Sequence, residues 1–165
     1  MHADERGFFL ESYRVDALGE MGIGDAFVQD NHSRSSRGVL RGMHLSVGDG
    51  QAKLVRVARG EILDVVVDVR RDSPAYGRWE SITLDDRSGR MLYVPIGFAH
   101  GFLVVSEVAD VIYKCSSYYD AGLERGFRYD DPDVGIEWPG LQPIVSERDR
   151  RAPRLSEIAD DLPFA

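Results

Sequence analysis

Gly89–His100 reads G-R-M-L-Y-V-P-I-G-F-A-H, and the fold is decided by how this stretch is read. Arg90–Val94 has the make-up of a short strand. Pro95 and Gly97 then break the chain in a tight turn before a second apolar run, Gly101–Val105. The pattern recurs on both sides. Ala52–Ala58 (A-K-L-V-R-V-A) alternates, Arg59-Gly60 has turn character, and Glu61–Val69 (E-I-L-D-V-V-V-D-V) is β-branched and nearly continuous. Ser81–Leu84 and Val108–Ser116 complete the series. Short strands at close spacing, separated by Pro, Gly, Asp and Ser, predict an all-β sandwich or barrel rather than βαβ units. Helix is expected only in short pieces, around Asp16–Met21 and near Leu155–Asp161, with Ser156 as a candidate N-cap. No repeat, low-complexity run or linker divides the 165 residues, which read as one domain, 1–165.

Composition narrows the function classes. A formal net charge of -8 leaves no basic surplus to neutralise phosphates, which argues against a nucleic-acid binder. Arginine is far commoner than lysine, which keeps a local anion site open. Cys115 is the only cysteine, so an intrachain disulfide and a cysteine-based zinc site are excluded, and a reducing compartment fits. The opening M-H-A-D-E-R-G-F-F is not a secretory leader, and no run of eighteen apolar residues offers a membrane span. A cytoplasmic protein is expected.

Strand parity then marks polar groups that need an explanation. Tyr113 shares a face with Val111 and Cys115, and Asp64 shares a face with Ile62 and Val66. Asp64 therefore lies on a wet surface or inside a lumen that holds a polar ligand, and the number of polar groups at strand centres and ends favours the lumen. Gln29–His44, Q-D-N-H-S-R-S-S-R-G-V-L-R-G-M-H, gathers amide, carboxylate, hydroxyl, guanidinium and imidazole groups into sixteen residues. That is poor core material and calls for a solvent-facing or ligand-facing role. Its closing R-G-M-H sets a cation and a candidate general base three residues apart, with Gly42 between them.

The spacing G-x5-P-x-G-x2-H in Gly89–His100 resembles the second sequence motif of the cupin superfamily of small β-barrels, in which the Pro95–Gly97 turn would deliver His100 to the interior. Metal-binding cupins carry H-x-H on an earlier strand. Here that place reads His44-Leu45-Ser46, so an imidazole is missing and no metal is expected.

The order of parts along nearly the whole chain closely resembles the dTDP-4-dehydrorhamnose 3,5-epimerases, cupin-fold nucleotide-sugar epimerases. The matching segments include R-G-F-F-L-E (6–11), F-V-Q-D-N-H-S (27–33), G-V-L-R-G-M-H (38–44), Q-A-K-L-V-R (51–56), V-P-I-G-F-A-H-G-F (94–102), G-I-E-W-P (135–139) and S-E-R-D (146–149). Each is weak alone, but their shared order is specific. The resemblance implies an all-β, cupin-type jelly-roll barrel or sandwich with short peripheral helices. It implies His44 as general base, Asp149 as its orienting carboxylate, Tyr113 as the acid on the opposite face, and Lys53 as the cation near the sugar C4 oxygen. Arg41, Gln29 and Asn31 match substrate and nucleotide contacts, Tyr119 an aromatic near the thymine, and Asp64 and His100 polar pocket residues. Arg6, Phe9 and Glu11 match residues lent across a homodimer interface. Whether that segment acts in cis or in trans is open at this level.

The chemistry supports these roles. A ketone at C4 acidifies the protons at C3 and C5, and the resulting enolate needs a cation or donor at the C4 oxygen. Lysine suits that task, and a neutral histidine held by a carboxylate suits proton removal near pH 7. No redox cofactor or metal is required. Without the resemblance, Tyr113 reads as an amphipathic core residue, Lys53 and Asp149 as solvated surface, and His100 as a hydrogen-bonded interior imidazole. His2 and His32 read as surface, Cys115 as a small buried apolar group, and Trp79 and Trp138 as packing or interface anchors. One departure stands out: Ser46 occupies a position where the family often has Gln. A single C3- or C5-epimerase of dTDP-4-keto-deoxysugars is therefore the alternative, with a metal-dependent cupin enzyme or a non-catalytic sugar-nucleotide binder more remote.

Overall fold

Two antiparallel sheets are stacked face to face in a computed structural model that describes residues 1–140 and 142–165. A hairpin of β1 (His2–Asp4) and β2 (Gly7–Phe9) precedes helix α1 (Val15–Glu20). The strands β3 (Gln29–Ser36), β4 (Leu40–Ser46), β5 (Lys53–Arg59), β6 (Glu61–Asp68), β7 (Trp79–Asp85), β8 (Met91–Val94), β9 (Phe98–Val104), β10 (Val108–Cys115) and β11 (Glu124–Gly126) follow. The short helices α2 (Glu147–Arg150) and α3 (Leu155–Ile158) come last. One sheet has the order β3-β10-β5-β8 and the other β11-β4-β9-β6-β7. This is the all-β architecture expected from the strand pattern, in the jelly-roll form that the family resemblance implied, and its described helices are short.

The five-stranded sheet is covered on both faces, which explains why Glu61–Val69 is apolar at nearly every position. Toward the other sheet, Ile62 packs with Val55, Val57, Phe102, Val104 and Val111. On the reverse face, Val65 and Val67 pack with Met43, Leu45, Phe127 and the C-terminal Leu155, Ile158 and Leu162. Ile62, Val65 and Val67 are each 0% exposed, and each such side chain contributes about 1.5–3 kcal/mol.

Gly42 sets the site. In β4, Arg41 pairs with Phe102 and His44 pairs with His100, so Gly42 and Met43 together stand opposite Gly101 alone. Such a bulge shifts parity, and Arg41 and His44 both face inward where regular alternation would separate them. A Cβ on Gly42 would stand 2.5 Å from the Gly101 Cα, and its φ of 134° is one that L side chains rarely adopt.

Two expectations are refined. The segment Gln29–His44 forms most of two strands, β3 and β4, despite its polarity. Ser156 is not the N-cap of the last helix, which starts at Leu155 after Arg154. Asp131 accepts the Leu155 N–H at 2.7 Å and Glu157 accepts the Arg154 N–H at 2.6 Å, so neighbouring carboxylates satisfy those donors in place of a serine. Among the described residues no helix is long and apolar enough to cross a membrane.

Candidate active site

A cavity of about 540 Å³ opens between the two sheets. It is lined by Arg41, His44 and His100 from the five-stranded sheet, by Lys53 and Tyr113 from the four-stranded sheet, and by Arg148 and Asp149 from α2. Its two walls carry different chemistry. Strand register places His44 beside His100 on one wall. On the facing wall, Tyr113 pairs with Asn31 and Val55, and Lys53 pairs with Cys115.

The His44 Nε2 lies 2.7 Å from the Asp149 Oδ1. Asp149 is 4% exposed although it sits in the charge run E-R-D-R-R. The helix that carries it is capped by Ser146, whose hydroxyl accepts the Asp149 N–H at 3.0 Å. Burial pushes the Asp149 carboxyl up, but bonds from His44, Ser146 and the Gly42 N–H hold it below its ordinary value. The result is a charged acceptor that fixes the ring and leaves its other nitrogen unblocked by this bond.

A second pair stands behind the first. The His100 Nε2 lies 2.9 Å from both oxygens of Asp64, which is fully buried. Parity left Asp64 on a wet surface or in a ligand-holding lumen; it is buried behind His100, which lines the cavity while Asp64 itself does not.

On the facing wall, burial, aided by Cys115, raises the Tyr113 pKa, while Asn31 and Arg41 act in the opposite direction. The phenol stays protonated and can donate. Burial lowers the Lys53 pKa against the pull of Cys115, Glu124 and Asp64. Lys53 and Asp149 are thus not the solvated surface groups that the residues alone suggested.

The remaining expected residues divide into two groups. Arg41 lines the cavity and donates to the Ser35 hydroxyl at 3.1 Å. Gln29 and Asn31 bond each other at 3.1 Å on the inner face of β3, and Gln29 also accepts the Tyr119 N–H at 2.9 Å. Glu124, which accepts from Arg148 at 2.7 Å, raises the Tyr119 phenol pKa, so Tyr119 lies beside the Glu124–Arg148 pair at the cavity edge. Arg6, Phe9 and Glu11 are not brought to the cavity of their own chain. Arg6 pairs with Asp4, Glu11 lies beside Arg14, and Phe9 is 67% exposed.

Sequence reasoning missed Ser33, Ser35, Phe102, Ser146 and Arg148. Ser33 and Ser35 continue the alternation begun by Gln29 and Asn31, and Arg148 directly precedes Asp149, so parity and adjacency held the signal. Among the described residues no three His, Cys, Asp or Glu side chains are grouped as a metal would require.

Comparison with known proteins bears on this arrangement. Residues 1–157 match the family profile described as dTDP-4-dehydrorhamnose 3,5-epimerase. The chain belongs to that family. It is 47% identical over 163 residues to the dTDP-4-dehydrorhamnose 3,5-epimerase of Pseudomonas aeruginosa, covering 97% of this chain and 89% of that one. The structure of a dTDP-6-deoxy-D-glucose-3,5-epimerase from Legionella pneumophila, in complex with dTDP-4-keto-L-rhamnose, superposes with a TM-score of 0.96. It is 46% identical, with 99% of this chain and 89% of that one covered. A dTDP-4-dehydrorhamnose 3-epimerase from Streptomyces niveus is 45% identical over 160 residues, 96% of this chain and 77% of that protein.

Proposed function

We propose that this protein is an isomerase that converts dTDP-4-dehydro-6-deoxy-D-glucose to dTDP-4-dehydro-L-rhamnose by inverting C3 and C5. The observation that carries the reading is the placement of His44 and Tyr113 on facing walls of one cavity. Inversion needs a base on one face of the sugar and a proton donor on the other. His44, oriented by Asp149, removes the proton α to the ketone. The electron pair moves into the enolate, whose oxygen Lys53 stabilises. Tyr113 returns a proton to the opposite face, and its raised pKa keeps that proton in place until charge develops on carbon. Arg41, Gln29 and Asn31 hold the substrate, Tyr119 lies against the thymine, and Asp64 and His100 form the polar floor. No cofactor takes part in these steps.

The rest of the reading concerns assembly. Among the described residues the β1–β2 hairpin pairs with neither sheet, and Phe8 and Phe9 are 63% and 67% exposed. We infer a homodimer in which Arg6, Phe9 and Glu11 of each single-domain subunit complete the partner's pocket, in the cytoplasm.

A single epimerase is the second reading. Ser46 stands beside the base where the family often has Gln, and its hydroxyl turns to the neighbouring Val47 carbonyl at 3.5 Å. One relative of similar identity is named as a 3-epimerase. Incubation with dTDP-4-dehydro-6-deoxy-D-glucose in D2O separates the two. Deuterium at C3 and C5 is expected. Label at one carbon selects the single epimerase, and none above the enzyme-free control overturns the epimerase reading.

A further inference from the structure

A second cavity, of about 580 Å³, lies on the reverse side of the five-stranded sheet from the candidate active site. One wall is the turn that leads into β7, with Tyr76, Arg78 and Trp79. The other is Asp133 and Val134, together with Leu155 and Ser156 of α3. None of these residues lines the cavity between the sheets.

Both walls are fixed by short hydrogen bonds. The Gly77 N–H donates to the Asp68 carbonyl at 2.8 Å, and the Arg78 N–H to the Ala75 carbonyl at 2.8 Å. Asp131 is 1% exposed and accepts the Asp133 N–H at 3.0 Å with one oxygen and the Leu155 N–H at 2.7 Å with the other. It thereby ties together the two segments of the far wall. A pre-formed cavity of this size, apolar with a few fixed polar groups, has the form of a small-molecule site.

Tyr76 is the anomaly in the near wall. Its ring packs on the core, yet its Oη is buried and has no hydrogen-bond partner among the described residues. An unpartnered buried hydroxyl is destabilising, and phenylalanine would fill the same place without that cost. Burial raises the phenol pKa, with Arg71 pulling the other way, so the group is neutral and can both donate and accept.

The rest of the lining decides the ligand class. Arg78 and Asp133 bring one charge of each sign, so the site has no surplus for an anion such as phosphate. Arg78, Asp133 and Ser156 set donors and acceptors beside the apolar surface of Trp79, Val134 and Leu155. A sugar ring matches both: its C–H face lies on an aromatic ring while its hydroxyls donate and accept.

We propose that this cavity binds a neutral pyranose sugar, with one ring face on Trp79 and a hydroxyl hydrogen-bonded to the Tyr76 Oη.

Trp79 and Trp138 are the only two tryptophans, so fluorotryptophan labelling gives two fluorine NMR signals, assigned with Trp79→Phe. Methyl α-L-rhamnopyranoside, methyl α-D-glucopyranoside and inorganic phosphate are titrated separately, with and without saturating dTDP. At least one glycoside should shift the Trp79 signal with a Kd of about 1–10 mM, whether or not dTDP is present. Tyr76→Phe should weaken that binding about fivefold, the scale of one hydrogen bond, and leave turnover within about twofold. Its melting temperature should equal or exceed wild type, because no protein bond is lost. The proposal is overturned if neither glycoside moves the Trp79 signal, or if phosphate alone does. A shift that dTDP abolishes would place the sugar in the other cavity and also overturn it. Undiminished affinity or a lower melting temperature in Tyr76→Phe would overturn the role of the phenol.

Discussion

Two histidine–aspartate pairs bring their imidazoles to the cavity, and they are built differently. His100 and Asp64 come from neighbouring strands β9 and β6, and Asp64 meets the ring with both oxygens, with side-chain exposures of only 8% and 0%. His44 and Asp149 come from β4 and the short helix α2, 105 positions apart, and are joined through one oxygen, with the His44 side chain 27% exposed. The first pair is locked into a sheet. The second is an accessible ring held by a carboxylate that a capped helix turn presents. A general base must reach substrate, so the proposed mechanism gives proton removal to the more accessible His44 and uses His100 as a fixed polar surface.

Three substitutions sharpen that contrast, in order of expected size. His44→Ala should abolish solvent exchange at both C3 and C5, a fall of about 10³-fold or more in the NMR-detected rate. If exchange persisted at wild-type rate, the two pairs would have to trade roles.

Asp149→Asn and Asp64→Asn are best measured together. Asp149→Asn should lower kcat about 10²–10³-fold with a smaller change in melting temperature, because the ring loses its orienting charge. Asp64→Asn should do the reverse: exchange within about tenfold of wild type, and a loss of about 1–3 kcal/mol in denaturant unfolding, because a fully buried bidentate acceptor is broken. The opposite pattern would contradict the division between an accessible base and a locked wall. A pH series adds a check of sign. Asp149 has a folded pKa below its ordinary carboxylate value. Its contribution to stability is present above the unfolded value of about 3.9 and is lost as pH falls through the lowered one. Asp149→Asn should therefore flatten the acid limb of the stability curve.

Much of this architecture was readable from residues. The alternation in Ala52–Ala58 and Val108–Ser116, and the Pro95–Gly97 turn, carried the two-sheet fold, because period-2 burial is imposed locally by the pleat. The continuous apolar run of β6 became intelligible only with the C-terminal Leu155, Ile158 and Leu162 packed on its reverse face, a contact made far along the chain. Parity put Tyr113 on one face with Val111 and Cys115, but its place in the candidate site, like those of Asp149 and Lys53, was legible only through the family resemblance. Arg41 and His44 are the instructive case. Parity puts them on opposite faces, and the bulge at Gly42, forced by close approach to Gly101, brings them to one. Asp149 lay in a charge run that any local reading leaves in solvent. The alternation Asn31, Ser33, Ser35 was present all along, but polar strands do not announce themselves by hydrophobic pattern.

The central claim is that base and acid work from opposite walls. Tyr113→Phe tests it most directly, with deuterium exchange and product stereochemistry followed in the same sample. The account predicts that exchange at C3 and C5 continues in part, because His44 and Lys53 remain, while inverted product falls well below the exchange rate. Inversion at the wild-type rate in Tyr113→Phe would contradict it.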